Sequence, residues 1–121
     1  MINKIKEVVI VSAIRTPIGK YRGSLKNIRS DQLGSIVIKE VLKKSKFINE
    51  EIDEVIMGQV LTTGTGQNPA RQAAINAGIP ISKPAHIINQ VCGSGLRAVI
   101  SGYQSIKLGE SKNVISGGQE S

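Results

Sequence analysis

One stretch decides the fold: Ala85-His86-Ile87-Ile88-Asn89-Gln90-Val91-Cys92-Gly93-Ser94-Gly95. Its first seven residues, 85–91, are mostly apolar, which predicts a strand. The four residues 92–95 then break the strand, and apolar side chains recur at helical spacing from Leu96 to Ile106. A strand that passes directly into a helix is typical of α/β folds.

Outward from this stretch, strands and helices alternate along the chain. Helical spacing predicts a helix from Ser30 to Lys44, with Ser30 as its N-cap, and a second helix that starts at Asn68 and Pro69. Apolar β-branched runs predict three further strands, over 7–13, 53–60 and 113–118. The order βαβαβαβ predicts the α/β class, with a parallel or mixed sheet and helices on both faces.

The second helix carries a stripe of small residues. Ala70, Ala73, Ala74 and Ala77 lie on one face, and Gly78 follows as a C-terminal stop signal. We therefore expect another element to pack very closely against this helix.

Composition limits the class of protein. The chain has 121 residues, of which 40% are hydrophobic and 21% charged, which fits one soluble domain and argues against a disordered or membrane protein. A single cysteine excludes a disulfide scaffold. The apolar run from Val8 to Ile14 is too short for a membrane span or a normal signal core, so we expect a cytoplasmic protein with a reduced thiol and no membrane partner.

The positive charge is concentrated at one end. Residues 1–46 hold eleven bases and three acids, whereas 47–121 hold five bases and six acids. Such an excess can attract phosphate groups or nucleic acid, but no aromatic residues are interleaved for base stacking. Solvated surface lysines explain the pattern better, and we expect no nucleic-acid partner.

Cys92 is the strongest candidate for chemistry. A thiol where a helix begins lies in the field of the helix N-terminus, which favours the nucleophilic thiolate. The flanking Gly93 and Gly95 give a substrate access to the backbone and leave N–H groups for an oxyanion. A sharp strand-to-helix turn presents the nucleophile of serine hydrolases in the same way. From spacing alone, a small buried structural cysteine is the more common alternative and stays open.

Other motifs offer little. The loop Gly64-Thr65-Gly66 lacks the third glycine of a dinucleotide fingerprint and the lysine of a P-loop, so an ordinary loop is expected. His86 is the only histidine, and six strand residues separate it from Cys92 by about 20 Å, too far for direct activation. One cysteine, one histidine and scattered acids predict no metal site.

Four segments together resemble the thiolase family. They are 11–19 (VSAIRTPIG), 66–72 (GQNPARQ), 89–98 (NQVCGSGLRA) and 117–121 (GGQES). They span nearly the whole chain in the family's order, and the cysteine decapeptide is the most specific. Within the family, the segments are most similar to acetyl-CoA C-acetyltransferases of the biosynthetic type.

The resemblance implies a thiolase-like fold, with 1–121 as the N-terminal portion of the thiolase N-terminal domain and the rest of that domain, the loop domain and the C-terminal domain absent. It implies an acyltransferase that condenses two acetyl-CoA into acetoacetyl-CoA and CoA, with acetyl-CoA as substrate and no cofactor. Cys92 matches the family's acyl-accepting nucleophile. The resemblance also implies a homo-oligomer, because family dimers pair the strand that leads to the cysteine.

The family's activating histidine and second cysteine match no residue of this sequence. A Claisen condensation needs a base, and the chain offers none placed beside Cys92, so we expect the isolated chain to be inactive. Two alternatives remain open: a catalytically dead remnant that acts as an interaction module, and another condensing enzyme of the thiolase fold. The spacing after Cys92 argues against the latter.

Overall fold

The computed structural model describes residues 6–121. Within this range the helices are Ser30–Ser45 (α1), Pro69–Asn76 (α2) and Ser94–Lys107 (α3), with a short 3-10 turn at Asn49–Glu51. The strands are Glu54–Gly58 (β1), Ala85–Ile88 (β2) and Val114–Gly118 (β3). They form a parallel sheet in the order β2-β1-β3. The predicted α/β class is confirmed, and the sheet is purely parallel.

The sheet is covered on both faces, as predicted. Val55 in β1 is paired with Ala85 on one side and Ile115 on the other. Val55 and Met57 are buried with the apolar faces of α1 and α2. Ile56 points the other way because strand side chains alternate, and it is 1% exposed beneath α3.

Close packing between α1 and α2 explains the alanine stripe. All four alanines of the stripe are buried, and α1 lies against them. Gly34 lies at this contact, and a Cβ there would overlap the side-chain amide of Gln119 and lie 3.1 Å from the Cβ of Ala73. The small residues therefore serve helix–helix contact, as the sequence predicted.

The helix starts agree with the sequence in one case and differ in the other. Asn68 caps α2, and its Oδ1 accepts a hydrogen bond from the Arg71 N–H at 3.1 Å. In α1 the N-cap is Arg29, so the prediction that Ser30 is the cap was wrong by one residue. The Gln32 side chain takes over the capping role by accepting the Arg29 N–H at 2.8 Å.

The strand predicted over 7–13 is the main correction. These residues have no regular secondary structure, and Val9, Ile10 and Val11 are 63–80% exposed. β1 already pairs with β2 and β3, and the other edge of β3 lies across a cavity of about 620 Å³ from residues 8–16. An apolar β-branched run becomes a strand only when a neighbouring backbone lies within pairing distance, and here none does.

The strand predicted over 85–91 ends early, at Ile88. Ile88 is paired with Gly58, the last residue of β1, and three residues further on Val91 adopts a left-handed backbone conformation, with φ of 49°. None of the helices within 6–121 is long and apolar enough to cross a bilayer.

Candidate active site

Cys92 lies in the turn between β2 and α3, and its thiol is exposed. The open reading of a buried structural cysteine is therefore wrong. The turn is tight: the Gly93 N–H donates to the Gln90 carbonyl at 3.0 Å, and the Ser94 N–H donates to the Val91 carbonyl at 3.1 Å. The thiol thus stands at the carboxyl end of a parallel sheet, the edge at which α/β proteins place their ligands.

Two close backbone contacts hold the start of α3 over the strand ends. Gly58, the last residue of β1, lies directly against the backbone of Ser94, where any Cβ would overlap it. Gly95 in turn contacts Gly118 of β3 at an ordinary packing distance, with a Cβ on Gly95 falling 3.8 Å from the Gly118 Cα. Glycine at position 58 therefore sets the height of the cysteine turn above the sheet.

The N–H groups of Gly93 and Gly95, both expected to be free for an oxyanion, differ in whether they already have an acceptor. The Gly93 N–H is already bonded to Gln90, which corrects the expectation for this residue. The Gly95 N–H lies in the first turn of α3 and has no backbone acceptor among residues 6–121. Helix N-termini leave such donors unpaired, so the Gly95 N–H stays a candidate donor for an oxyanion.

Polar side chains that the sequence analysis did not single out brace this region. Asn89 donates from Nδ2 to the Val60 carbonyl at 3.1 Å. Glu120 accepts the N–H groups of Val60 and Leu61 at 2.8 and 3.0 Å. Both side chains tie the segment after β1 to its neighbours. The sequence marked these two residues only by placing Asn89 in segment 89–98 and Glu120 in segment 117–121.

In the part of the chain that is described, no side chain that could act as a base is hydrogen-bonded to the thiol. His86 is exposed in β2, opposite Ile56, and makes no hydrogen bond to Cys92. Across residues 6–121 no group of three or more His, Cys, Asp or Glu side chains could hold a metal ion. This part of the chain therefore supplies a nucleophile and, at Gly95, an N–H without a backbone acceptor.

The Gly64–Gly66 loop is an ordinary turn. The Thr65 N–H donates to the Thr62 carbonyl at 3.1 Å, and both glycines have positive φ. The Thr65 carbonyl accepts hydrogen bonds from Gln72 at 2.6 Å and from Arg29 at 3.3 Å. These contacts join the loop to α1 and α2.

Fold and site together define an α/β protein with an exposed cysteine at a strand-to-helix turn on the carboxyl edge of its sheet. Residues 8–121 match the family described as "Thiolase, N-terminal domain". The chain belongs to the thiolase family, which confirms the resemblance found in the sequence.

Individual relatives support this family membership. The chain is 55% identical over 114 residues to an acetyl-CoA acetyltransferase of Cupriavidus necator, an alignment that covers 94% of this chain and 29% of the relative. It is 53% identical over 113 residues to the cytosolic acetyl-CoA acetyltransferase of Mus musculus, covering 93% and 28%. The chain thus spans less than a third of the length of these relatives.

Solved structures share the fold. The acetyl-CoA acetyltransferase of Bacillus anthracis superposes with a TM-score of 0.88 at 38% identity, over 91% of this chain and 28% of that one. A thiolase of Ascaris suum, solved in complex with coenzyme A, gives 0.86 at 43% identity over 88% and 28%. The thiolase-like fold predicted from the motifs is therefore confirmed.

Proposed function

We propose that this chain carries the acyl-accepting cysteine of a thiolase-type acyltransferase, with Cys92 as the nucleophile and acetyl-CoA as the substrate. The observation that carries the proposal is the exposed thiol of Cys92 at the start of α3, above the ends of parallel strands. Membership of the thiolase family and the names of its relatives as acetyl-CoA acetyltransferases support it.

The chemistry has two steps. The Cys92 thiolate attacks the carbonyl carbon of acetyl-CoA, a new carbon–sulfur bond forms, and CoA leaves as a thiolate that takes up a proton. A base then removes an α-proton from a second acetyl-CoA. The resulting carbanion attacks the acetyl group on Cys92, forming acetoacetyl-CoA and releasing the Cys92 thiolate.

This chain fits the first step better than the second. The Gly95 N–H, in the first turn of α3, has no backbone acceptor within 6–121 and is the donor that we assign to the oxyanion. The second step needs a base, and no side chain within 6–121 is hydrogen-bonded to Cys92. We therefore propose that 1–121 forms the N-terminal portion of the thiolase N-terminal domain and that the base comes from the remaining length of the enzyme.

Acetyl transfer to the thiol tests the proposal. The purified 121-residue chain is incubated with acetyl-CoA, and its intact mass is measured with and without hydroxylamine, which cleaves thioesters. We expect one acetyl group that hydroxylamine removes, no acetyl group on Cys92→Ala, and no acetoacetyl-CoA from either chain. Acetylation that persists in Cys92→Ala, or its absence from the unmodified chain, overturns the role of Cys92.

We further propose that two copies of the chain associate and that the protein acts in the cytoplasm. Apolar side chains on α3 support association, since Leu96 is 69% and Tyr103 49% exposed. The cytosolic designation of the mouse relative supports the compartment. A single monomeric species in sedimentation velocity, even at high protein concentration, contradicts the association of two copies.

The same exposed face favours a second candidate, an interaction module without catalysis. The acetylation experiment separates the two candidates, because an interaction module does not need a reactive thiol. An unreactive Cys92 in a chain that still associates favours the module.

A further inference from the structure

Val91, immediately before the candidate nucleophile, is held in a conformation that it would not adopt by itself. Its φ is 49°, in the left-handed region that β-branched residues avoid. Its side chain is 64% exposed, so packing around the isopropyl group does not impose this conformation. Backbone strain of this kind persists only where surrounding contacts enforce it.

Hydrogen bonds on both sides of Val91 supply that enforcement. The Val91 N–H donates to Oδ1 of Asn89 at 3.0 Å. The Val91 carbonyl accepts from the Ser94 hydroxyl at 2.6 Å, and the same Oγ accepts the Gln90 N–H at 2.8 Å. The Ser94 hydroxyl therefore bridges the N–H of Gln90 and the carbonyl of Val91.

Asn89 and Ser94 are each held against the end of β1. Asn89 donates to the Val60 carbonyl just beyond β1, and the backbone of Ser94 rests on Gly58. Ser94 is 4% exposed, so water does not compete for its hydroxyl.

A role for Ser94 as an ordinary helix cap does not fit. The N-cap of α3 is Gly93, and no side chain caps the first turn. A capping hydroxyl accepts an N–H from inside the helix, whereas the Ser94 hydroxyl bonds to Gln90 and Val91, both before the helix. Its hydrogen bonds therefore shape the turn that carries Cys92.

We propose that Asn89 and Ser94 are positioning residues that hold Val91 in the left-handed conformation and thereby keep the Cys92 thiol presented at the sheet edge. This inference rests on the proposed role of Cys92 as nucleophile. Neither side chain hydrogen-bonds the thiol. Their effect on reactivity passes through the backbone of Val91.

The rate at which iodoacetamide alkylates Cys92 tests the proposal in the 121-residue chain. We expect the folded chain to react faster than the same chain in urea, after correction for the effect of urea on a model thiol. Ser94→Ala should lower the rate about fivefold to tenfold, the kinetic equivalent of about one lost hydrogen bond. Asn89→Ala should lower it in the same direction and serves if Ser94→Ala fails to fold.

Ser105→Ala is the matched control. Ser105 is also a buried serine of α3, and its hydroxyl donates to Ser111 at 3.0 Å, far along the helix from the turn. Its replacement should lower the midpoint of thermal unfolding as Ser94→Ala does and leave the alkylation rate unchanged. Equal rates for the two variants would mean that Ser94 is merely structural and would overturn the proposal.

A second test adds Ser94→Ala to the Val91→Gly variant. Glycine adopts positive φ without strain, so the turn no longer depends on its hydrogen bonds. Adding Ser94→Ala to Val91→Gly should then change the alkylation rate by less than about twofold. An undiminished loss in the double variant overturns the proposal, as does a folded chain that reacts no faster than the unfolded one. The acetyl-CoA experiment is read separately, so failure here leaves the test of Cys92 intact.

Discussion

Gly58 at the end of β1 lies in direct contact with the backbone of Ser94 at the start of α3. The contact leaves no room for a Cβ, because the carbonyl carbon of Ser94 and the N–H of Gly95 occupy that space. The separation between the sheet and the cysteine turn is therefore set by one missing methyl group.

Gly58→Ala should destabilise the chain and disturb the cysteine turn. The clash involves backbone atoms, which cannot rotate away, so we expect a loss of about 2–3 kcal/mol in the free energy of unfolding. Urea unfolding measures it. Gly117→Ala is the matched control, because its Cβ would meet the Met57 sulfur at 3.5 Å, an ordinary contact, and should cost less than about 1 kcal/mol. Equal losses in the two variants would show that α3 does not rest on Gly58.

Because the apolar run 7–13 is exposed, shortening a side chain there should hardly affect stability. Ile10→Ala should change the free energy of unfolding by less than about 0.5 kcal/mol, since Ile10 is 80% exposed. Ile56→Ala, at 1% exposed, should cost about 2–5 kcal/mol. Urea titrations of both variants give the comparison. A similar cost for the two would mean that residues 7–13 form a buried strand in solution.

Arg71 clamps the loop that leads into β2. Its guanidinium donates to the carbonyls of Lys83 at 2.7 Å and Ile81 at 2.8 Å. Arg71→Lys keeps the charge but loses this two-pronged geometry, and we expect a loss of about 1–2 kcal/mol in thermal or urea unfolding. Arg97→Lys, on the exposed part of α3, is the control and should be neutral. An equally neutral Arg71→Lys would show that the clamp does not stabilise the fold.

Asp53 should make the fold sensitive to acid. Its carboxylate accepts the N–H groups of Asn113 and Lys112 at 3.0 and 2.7 Å, and these bonds lower its pKa, with a smaller contribution from Lys83. A carboxyl whose pKa is lower in the folded chain stabilises the fold above its unfolded pKa. That stabilisation is lost as the pH falls through the folded pKa, below the ordinary value of 3.8.

Asp53→Asn removes this dependence. Because the side chain is 34% exposed, we expect a loss of only about 1 kcal/mol at neutral pH, shrinking towards zero in acid. Urea unfolding at neutral pH and in acid measures both values. The same loss at every pH would rule out the ionised carboxylate as the source.

The sequence predicted most of the regular structure because local signals and the packed structure agree there. Asn68 and Pro69 start α2, the alanine stripe faces α1, and β1 lies where a short apolar run predicted it. The family and Cys92 as the candidate nucleophile were also available from the motifs alone. Such features depend on residues close together in the chain.

Other features needed the folded chain. Glycine at position 58 carried no signal of its contact with Ser94, because the two residues are distant in sequence. The hydroxyl of Ser94 and the amide of Asn89 acquire their roles only once Val91 adopts positive φ. Such relationships arise from the meeting of a strand end and a helix start.

The sequence by itself determined the α/β class, the family and the cysteine at the strand-to-helix junction. Only the tertiary structure decided that residues 7–13 stay unpaired, that the thiol is exposed and that the Gly93 N–H is already bonded. The physical reason is the same in each case. Pairing, exposure and donor availability depend on which backbone lies alongside, and residue type and spacing do not specify that neighbour.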